Sequence, residues 1–310
     1  MKVSDFTESS IARQLRRPGI WFRTGPFCTH LQTPIESVAR AFHALYADFP
    51  LVENDGFADF HVRVASPRGF RRWHRPQALF FCDGERPFKP LDRRQAFAMF
   101  EWGFNWCVSS YAHQYVIIHA AIIERRGRAA ILAAPPGSGK STLTAALIGR
   151  GWRLLSDELT LIDPSRGLAV AIARPVSLKN ASIDLIRGFT AGAVIGPRIE
   201  DTAKGAVAHL KPPADSVYRM DEPALPYWVV FPKFQPGANT SLASYPKANA
   251  FLRLADHAFN YCQHGVRAFH TFAELIDRCA CYEFTYSNLD EAVAVFDALA
   301  SGAPAATVGV

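Results

Sequence analysis

The chain has 310 residues, of which 49% are hydrophobic, and it carries a formal net charge of +6. This length provides for one large domain or two ordinary ones, and the composition is that of a globular protein and excludes a disordered chain. The basic residues are mostly arginine and are spread along the chain, so the charge predicts a solvated basic surface and no nucleic-acid partner.

The longest apolar segments of the chain are too short to span a membrane. The first 18 residues lack the apolar core of a signal peptide, and no apolar run approaches the roughly 20 residues that a membrane helix needs. We therefore expect a cytoplasmic protein without a membrane partner.

The six cysteines form neither a Cys-x-x-Cys pair nor the spacing of a zinc site. They are predicted to be reduced and buried. Cys279 and Cys281 would point to the same face of a strand, where the pattern favours core packing over metal binding.

Residues 1–114 contain no nucleotide-binding motif and predict a separate, smaller α+β region. The predicted bounds are a hairpin of strands 21–24 and 27–31, helix 34–48, strands 60–66 and 78–82, and helix 93–110. An aromatic stripe on the last helix indicates core packing and not a ligand site. The basic and aromatic cluster at 71–75 predicts an exposed loop, with nucleic-acid binding as the weaker alternative.

Residues 115–300 predict an α/β region, and residues 301–310 a disordered tail. The predicted elements are strands 115–123 and 129–133, helix 141–149, strands 153–156, 159–162 and 227–231, and helix 287–300. A glycine-rich loop lies between the second strand and the first helix. That order of strand, glycine loop, helix and strand is the context in which phosphate-binding loops occur.

The glycine-rich loop matches the Walker A spacing, except that alanine stands where the first glycine is usual. Its sequence is Ala134-Pro135-Pro136-Gly137-Ser138-Gly139-Lys140-Ser141-Thr142. The two glycines permit positive φ angles and a close approach of the backbone to a phosphate. Lys140 would reach the β- and γ-phosphates, and Ser141 would place its hydroxyl on Mg²⁺. We predict that this loop binds ATP with Mg²⁺.

An acidic pair, Asp157 and Glu158, follows the strand predicted at 153–156. A Walker B carboxylate belongs at the end of a strand beside the loop, so one carboxylate would hold Mg²⁺ and the other would act as a base toward an attacking hydroxyl. A solvated turn is the alternative. His119 lies within the apolar strand 115–123, where a lone histidine by itself indicates a core residue.

Three segments together resemble the HPr kinase/phosphorylase family. They are His119-Ala120-Ala121, Gly137-Ser138-Gly139-Lys140-Ser141 and Arg150-Gly151-Trp152-Arg153-Leu154-Leu155-Ser156-Asp157-Glu158. The chain is most similar to the divergent group called HPr kinase-related kinase A, whose blocks look like Arg174-Pro175-Val176-Ser177-Leu178-Lys179-Asn180 and Thr202-x-Lys204-Gly205-x-Val207-Ala208-His209-Leu210. The resemblance implies a P-loop kinase domain of the HPr kinase/phosphoenolpyruvate carboxykinase-like type.

Residue by residue, the resemblance implies that Asp157 is the general base toward a substrate serine. It places His119 beside the transferring phosphoryl group, Lys140 on the phosphates, and Ser141 and Glu158 on Mg²⁺. Members of the family form oligomers, commonly hexamers, which implies a homo-oligomer for this chain.

Three further cations, Arg174, Lys179 and Lys204, are candidates to contact the phosphoryl group or an acidic acceptor. Each alone is more typical of a surface charge. Lys204 is the best candidate, because Gly205 permits a tight turn that aims the lysine inward. His209, in an apolar run, predicts a core residue.

The predicted function is transfer of the γ-phosphoryl group of ATP to a hydroxyl of a protein, a peptide or a small compound, with serine as the expected acceptor. The alternative is a P-loop ATPase or nucleotide switch that acts in assembly or peptide maturation. Such a switch needs a residue that orients water and often an arginine finger, which the sequence does not locate. A phosphoenolpyruvate carboxykinase-like carboxylase is a third, weaker interpretation. It requires a Mn²⁺ site and a second cation cluster, which the sequence does not indicate.

Overall fold

A computed structural model describes residues 1–53, 56–70 and 74–302. Residues 71–73 of the predicted basic loop and residues 303–310 of the predicted tail lie outside the described residues. The described residues form a mixed α/β fold with two six-stranded and two three-stranded sheets. Among them, no helix has the length and apolar character needed to traverse a bilayer.

The N-terminal region forms the first six-stranded sheet and the helices that cover it. Its elements are α1 (Glu8–Arg16), β1 (Ile20–Thr24), β2 (Phe27–Gln32), α2 (Glu36–Leu45), β3 (Leu51–Val52), β4 (Phe60–Ala65), β5 (Gln77–Cys82), β6 (Leu91–Asp92) and α3 (Ala96–Tyr111). The strand order is β3-β1-β2-β4-β5-β6. Every second residue of β1, β2 and β4 is buried, as expected of a sheet with one face against helices.

The remaining elements follow a different plan. They are β7 (Val116–Ile118), β8 (Ala120–Arg125), β9 (Arg128–Ala133), α4 (Lys140–Gly149), β10 (Arg153–Ser156), β11 (Thr160–Asp163), β12 (Leu168–Val170), β13 (Val176–Lys179), α5 (Ala181–Phe189), β14 (Ile199–Thr202), β15 (Gly205–Leu210), α6 (Ala214–Tyr218), β16 (Leu225–Phe234), β17 (Ser241–Ser244), α7 (Lys247–Ala255), α8 (Tyr261–His264), α9 (Val266–Arg278), β18 (Ala280–Tyr286) and α10 (Leu289–Ser301). Besides the second six-stranded sheet, these strands form two three-stranded sheets, β12-β11-β7 and β13-β15-β14.

The second six-stranded sheet has the order β10-β8-β9-β16-β18-β17, and β9, β16 and β18 run parallel to one another. It is buried on both faces. Alternate residues of β8 and β9 pack with α4, α5 and α10 on one face and with α7 and α9 on the other. This double burial explains why these strands read as continuous apolar runs.

The strand predicted at 115–123 is the main error of the sequence-based prediction. The segment is two strands, β7 and β8, which belong to different sheets and separate at His119. There the His119 backbone N–H donates to the carbonyl of His257, 2.7 Å away. An apolar run carries no information about the sheet its residues join, so the break was not visible in the sequence.

The other predicted helices and strands are confirmed, with ends that differ by a few residues. For the cysteines the prediction is partly wrong. Cys82, Cys107, Cys279 and Cys281 are buried, but Cys28 is half-buried and Cys262 is exposed. Cys279 and Cys281 belong to the core on one face of the central sheet, as predicted.

Candidate active site

The glycine loop runs from the end of β9 to the first residue of α4, and two of its carbonyls are held by distant residues. The Phe234 N–H donates to the Ser138 carbonyl at 2.8 Å, and the Tyr286 hydroxyl donates to the Gly139 carbonyl at 3.0 Å. Gly137 and Gly139 have φ angles of +86° and +88°. The loop thus has the conformation that its glycines predict, and the ends of β16 and β18 support it.

Lys140 is the first residue of α4 and is only 8% exposed. Within the described chain its Nζ has no hydrogen-bond partner. Burial lowers the pKa of this ammonium group, while the nearby Asp157 and Glu158 carboxylates act in the opposite direction. A buried cation without a partner is costly, and a phosphate oxygen would supply the missing acceptor. The residues present therefore fit a nucleotide phosphate.

Asp157 directly follows β10 and is 5% exposed. Its Oδ2 accepts a hydrogen bond of 3.2 Å from the Ser177 backbone N–H, whereas no described group is a hydrogen-bond partner of its Oδ1. Burial raises the pKa of this carboxyl to about 6, although Lys140 and the nearby Ser141 hydroxyl act to lower it. A carboxylate of this kind can accept a proton near neutral pH.

Glu158 has the opposite electrostatic character, although it is the next residue. Burial acts to raise the pKa of its carboxyl, but the positive charges of Lys204, Lys140 and Lys179 outweigh this effect and lower the pKa. Its Oε2 accepts a hydrogen bond from the side-chain amide of Asn105, on α3. Glu158 is therefore held as an anion beside the loop.

The Glu158 carboxylate and the Ser141 hydroxyl fit Mg²⁺ bound together with phosphates. No group of three or more His, Cys, Asp or Glu side chains in the described chain is arranged to hold a metal by itself. Mg²⁺ is commonly held by one or two carboxylates, water and substrate phosphate oxygens, so a cage made only of protein ligands is not required.

Two histidines lie close to Lys140. Burial lowers the pKa of His119 to about 4, and the charge of Lys140 adds to this effect, so its imidazole is neutral at pH 7. Its ring centroid lies 5.7 Å from that of Phe259. His257 was not among the predicted site residues. Its Nε2 is buried without a partner in the described chain, and burial followed by the charge of Lys140 lowers its pKa.

Arg174 is not the surface charge that a lone arginine suggested. It is 6% exposed and forms a salt bridge of 2.5 Å with Glu101 of α3. It also donates to the side-chain amide oxygen of Asn105 at 2.6 Å. The NH₂ group of the same amide donates to Glu158. Arg174 therefore supports the acidic pair through Asn105 and has most of its donors occupied.

The two candidate lysines lie near the acidic pair but differ in exposure. Lys179 is half-buried at the end of β13, and Lys204 is exposed in the turn between β14 and β15. Gly205 has a φ of +80°, which confirms the predicted tight turn, but the lysine that this turn was expected to aim inward is exposed. The Lys204 ammonium lies 5.4 Å from the ring centroid of Trp102.

The N-terminal region contributes a buried polar network that the sequence patterns did not predict. The Tyr46 hydroxyl donates to Glu101 Oε1 at 2.8 Å, and Glu101 binds Arg174. Through Arg174 and Asn105 this network continues to Glu158. One signal was available in the sequence, because Glu101 is an acid within an otherwise apolar helical stretch.

Among known proteins, the chain has a distant likeness to solved structures. No protein-family model matches the sequence, and no curated protein matches it. Among solved structures, the chain is similar to the HPr(Ser) kinase/phosphatase from Coxiella burnetii, with 11% sequence identity and a TM-score of 0.27. The match covers 60% of this chain and 95% of that chain. At this distance the likeness says nothing about the site.

Proposed function

We propose that this protein is an ATP- and Mg²⁺-dependent kinase that transfers the γ-phosphoryl group to a hydroxyl acceptor. The observation that carries the proposal is that Lys140 and Asp157 lie near each other at the glycine loop. Each is buried, and each presents a polar atom without a partner in the described chain. A phosphate satisfies the lysine, and a hydroxyl that donates its proton satisfies the carboxylate.

In this proposal Lys140 and the loop backbone hold the phosphates, and Ser141 and Glu158 hold Mg²⁺. Bound Mg²⁺ neutralises charge on the transferring phosphoryl group. Asp157 accepts the proton of the attacking hydroxyl. His119, which is neutral, lies close to Lys140 and hydrogen-bonds to the phosphoryl group without adding charge, and Lys179 and Lys204 supply positive charge near Glu158.

We propose a serine of a protein or peptide as the acceptor and the cytoplasm as the location, with a homo-oligomer as the assembly. The choice of acceptor and the oligomeric assembly rest on the resemblance of the three sequence segments. A P-loop ATPase or switch would use the same loop, so the distinction lies in what accepts the phosphoryl group.

Incubation with γ-labelled ATP, Mg²⁺ and candidate acceptor peptides tests the proposal. We expect label on a serine, and we expect Asp157→Asn to lose transfer by at least about 100-fold while it still binds nucleotide. Lys140→Ala should abolish nucleotide binding. The matched control is Asp163→Asn, which should leave transfer unchanged. Asp163 lies at the end of β11, and its carboxylate accepts a hydrogen bond from the Ser165 hydroxyl.

Release of free phosphate alone, at a rate that Asp157→Asn does not change, would favour the ATPase. Nucleotide binding that survives Lys140→Ala would contradict the assignment of the loop itself.

A further inference from the structure

A small cavity lies on the side of the acidic pair that faces α3. Its volume is about 20 Å³, and its wall includes Asp157, Glu158, Arg174, Ser177 and His209. Among the described residues, neither Lys140 nor any residue of the glycine loop lines it. The cavity therefore adjoins the acidic pair but is not formed by the glycine loop proposed to hold the phosphates.

Three buried polar atoms of the cavity wall have no hydrogen-bond partner in the described chain. They are Asp157 Oδ1, Ser177 Oγ and His209 Nε2. The three residues are neighbours, because Ser177 and His209 face each other across the antiparallel pair of β13 and β15. The Ser177 backbone N–H also donates to Asp157. The three residues thus lie next to one another in the wall of one cavity.

The size of the cavity and the number of these atoms match a single water molecule. A buried water needs about 10–15 Å³ and two to four polar partners. Each buried polar atom left without a partner costs about 1–3 kcal/mol, so three on one cavity would be a large fraction of the stability of a domain. One water molecule can bond to all three atoms, since it can donate two hydrogen bonds and accept two. A carboxylate oxygen has two lone pairs, so Asp157 Oδ1 can accept from this water and also from the proposed acceptor hydroxyl.

We propose that this cavity binds one ordered water molecule that links Asp157 to Ser177 and His209, and that His209 is thereby a positioning residue for the Asp157 carboxylate. His209 is 2% exposed and sits edge-on to Phe97, with ring centroids 5.4 Å apart. Its ring is fixed by packing, so the water has one position. His209 therefore does more than fill the core, which was the role that its sequence position suggested.

The water site stands without any assumption about activity, whereas the positioning role rests on the proposed kinase function. A crystal structure at a resolution that shows ordered waters tests the site directly. We expect one peak within hydrogen-bonding distance of all three atoms. A collapsed cavity, or direct hydrogen bonds among the three side chains, would overturn the proposal.

Substitution of His209 tests the positioning role. His209→Leu removes the hydrogen bond and should lower kcat for phosphoryl transfer by about tenfold, with KM for ATP unchanged. His209→Gln keeps a group that can bind the water and should recover most of kcat. Leu210→Ala, on the same strand but in the core on the other side, should lower the Tm and leave kcat unchanged.

Equal kcat in the wild type and His209→Leu, or an equal loss in Leu210→Ala, would refute the positioning role. If His209→Leu does not fold, Ser177→Ala removes one partner of the water with a smaller change in volume and should lower kcat in the same way. If the wild type transfers no phosphoryl group, the kinase proposal fails, while the crystallographic result still decides the water site.

Discussion

At the scale of single residues, the candidate site places charged groups where they weaken the folded state. Lys140 and Asp157 are both buried, and each has a pKa displaced toward its neutral form. Such groups are retained in proteins when they bind a partner or do chemistry. The stability of the ligand-free protein should therefore report on them directly.

Asp157→Asn should stabilise the metal-free, nucleotide-free protein at neutral pH. The pKa of this carboxyl is raised from 3.8 to about 6, so its protonated form is favoured in the folded state. Stability is therefore lost as pH rises from about 4 through 6, by up to about 3 kcal/mol. Asparagine cannot ionise and avoids this loss. Denaturant unfolding at pH 4 and pH 8 measures it, and a gain that is equal at both pH values would contradict the ionisation argument.

Gly139→Ala should destabilise the nucleotide-free protein more than Gly137→Ala. Both glycines have positive φ, so alanine is strained at either position by about 1 kcal/mol. At Gly139 an added Cβ would also overlap the Tyr286 hydroxyl and lie 2.8 Å from Phe234 Cβ, whereas at Gly137 nothing lies within 4 Å. Thermal unfolding gives the comparison. Equal losses at both positions would show that only backbone strain matters.

At the scale of elements, α3 connects the N-terminal region to the acidic pair. Asn105 lies between Arg174 and Glu158 and makes a hydrogen bond to each. Its loss would leave the guanidinium and the carboxylate without that link. The helix was predicted from its pattern, but its contact with Glu158 could not be, since the two residues are far apart in the chain.

Asn105→Ala should raise the Mg²⁺ concentration needed for half-maximal phosphoryl transfer by about 3- to 10-fold. The reason is that Glu158, the proposed Mg²⁺ ligand, loses the amide that orients it, and losses of such orienting groups typically cost this much or more. Titration of activity with Mg²⁺ at saturating ATP measures the effect.

Ser109→Ala is the control for Asn105→Ala, because Ser109 lies on the same helix and its hydroxyl donates to the Trp106 carbonyl of that helix. An unchanged Mg²⁺ requirement in Asn105→Ala, or an equal rise in Ser109→Ala, would argue against the orienting role.

At the scale of the whole molecule, ion pairs of different kinds join residues before 115 to residues after it, and two of them differ sharply in burial. Glu101 and Arg174 form a buried pair, with side chains 3% and 7% exposed. Arg23 and Asp221 form an exposed pair with two hydrogen bonds of 2.8 and 2.6 Å. The desolvated pair should respond far more strongly to the removal of one partner.

Glu101→Leu should lower the free energy of unfolding by about 3–5 kcal/mol, because it leaves the Arg174 guanidinium buried without its counter-charge. The double variant Glu101→Leu/Arg174→Met should recover much of this loss. Asp221→Asn is the matched control and should cost less than about 1 kcal/mol. A double variant no more stable than Glu101→Leu alone would show that packing of these side chains matters more than charge.

The sequence by itself determined the local features of this protein. Strand alternation, helical periodicity and the positions of Gly137 and Gly139 depend on neighbouring residues, so they can be recognised in a short segment. The acidic pair after β10 was found in the same way. The proposed roles of these residues in catalysis stay predictions.

Only the tertiary structure decided which residues surround the glycine loop and the acidic pair. The break at His119, the approach of His257, the burial of Arg174 and the cavity at His209 all depend on contacts between segments distant in the chain. Burial and hydrogen bonding set the pKa of Asp157 and leave Lys140 without a partner, and both are properties of the packed molecule. A local pattern carries the backbone conformation of a loop, but the electrostatic environment of a side chain exists only after folding brings its neighbours together.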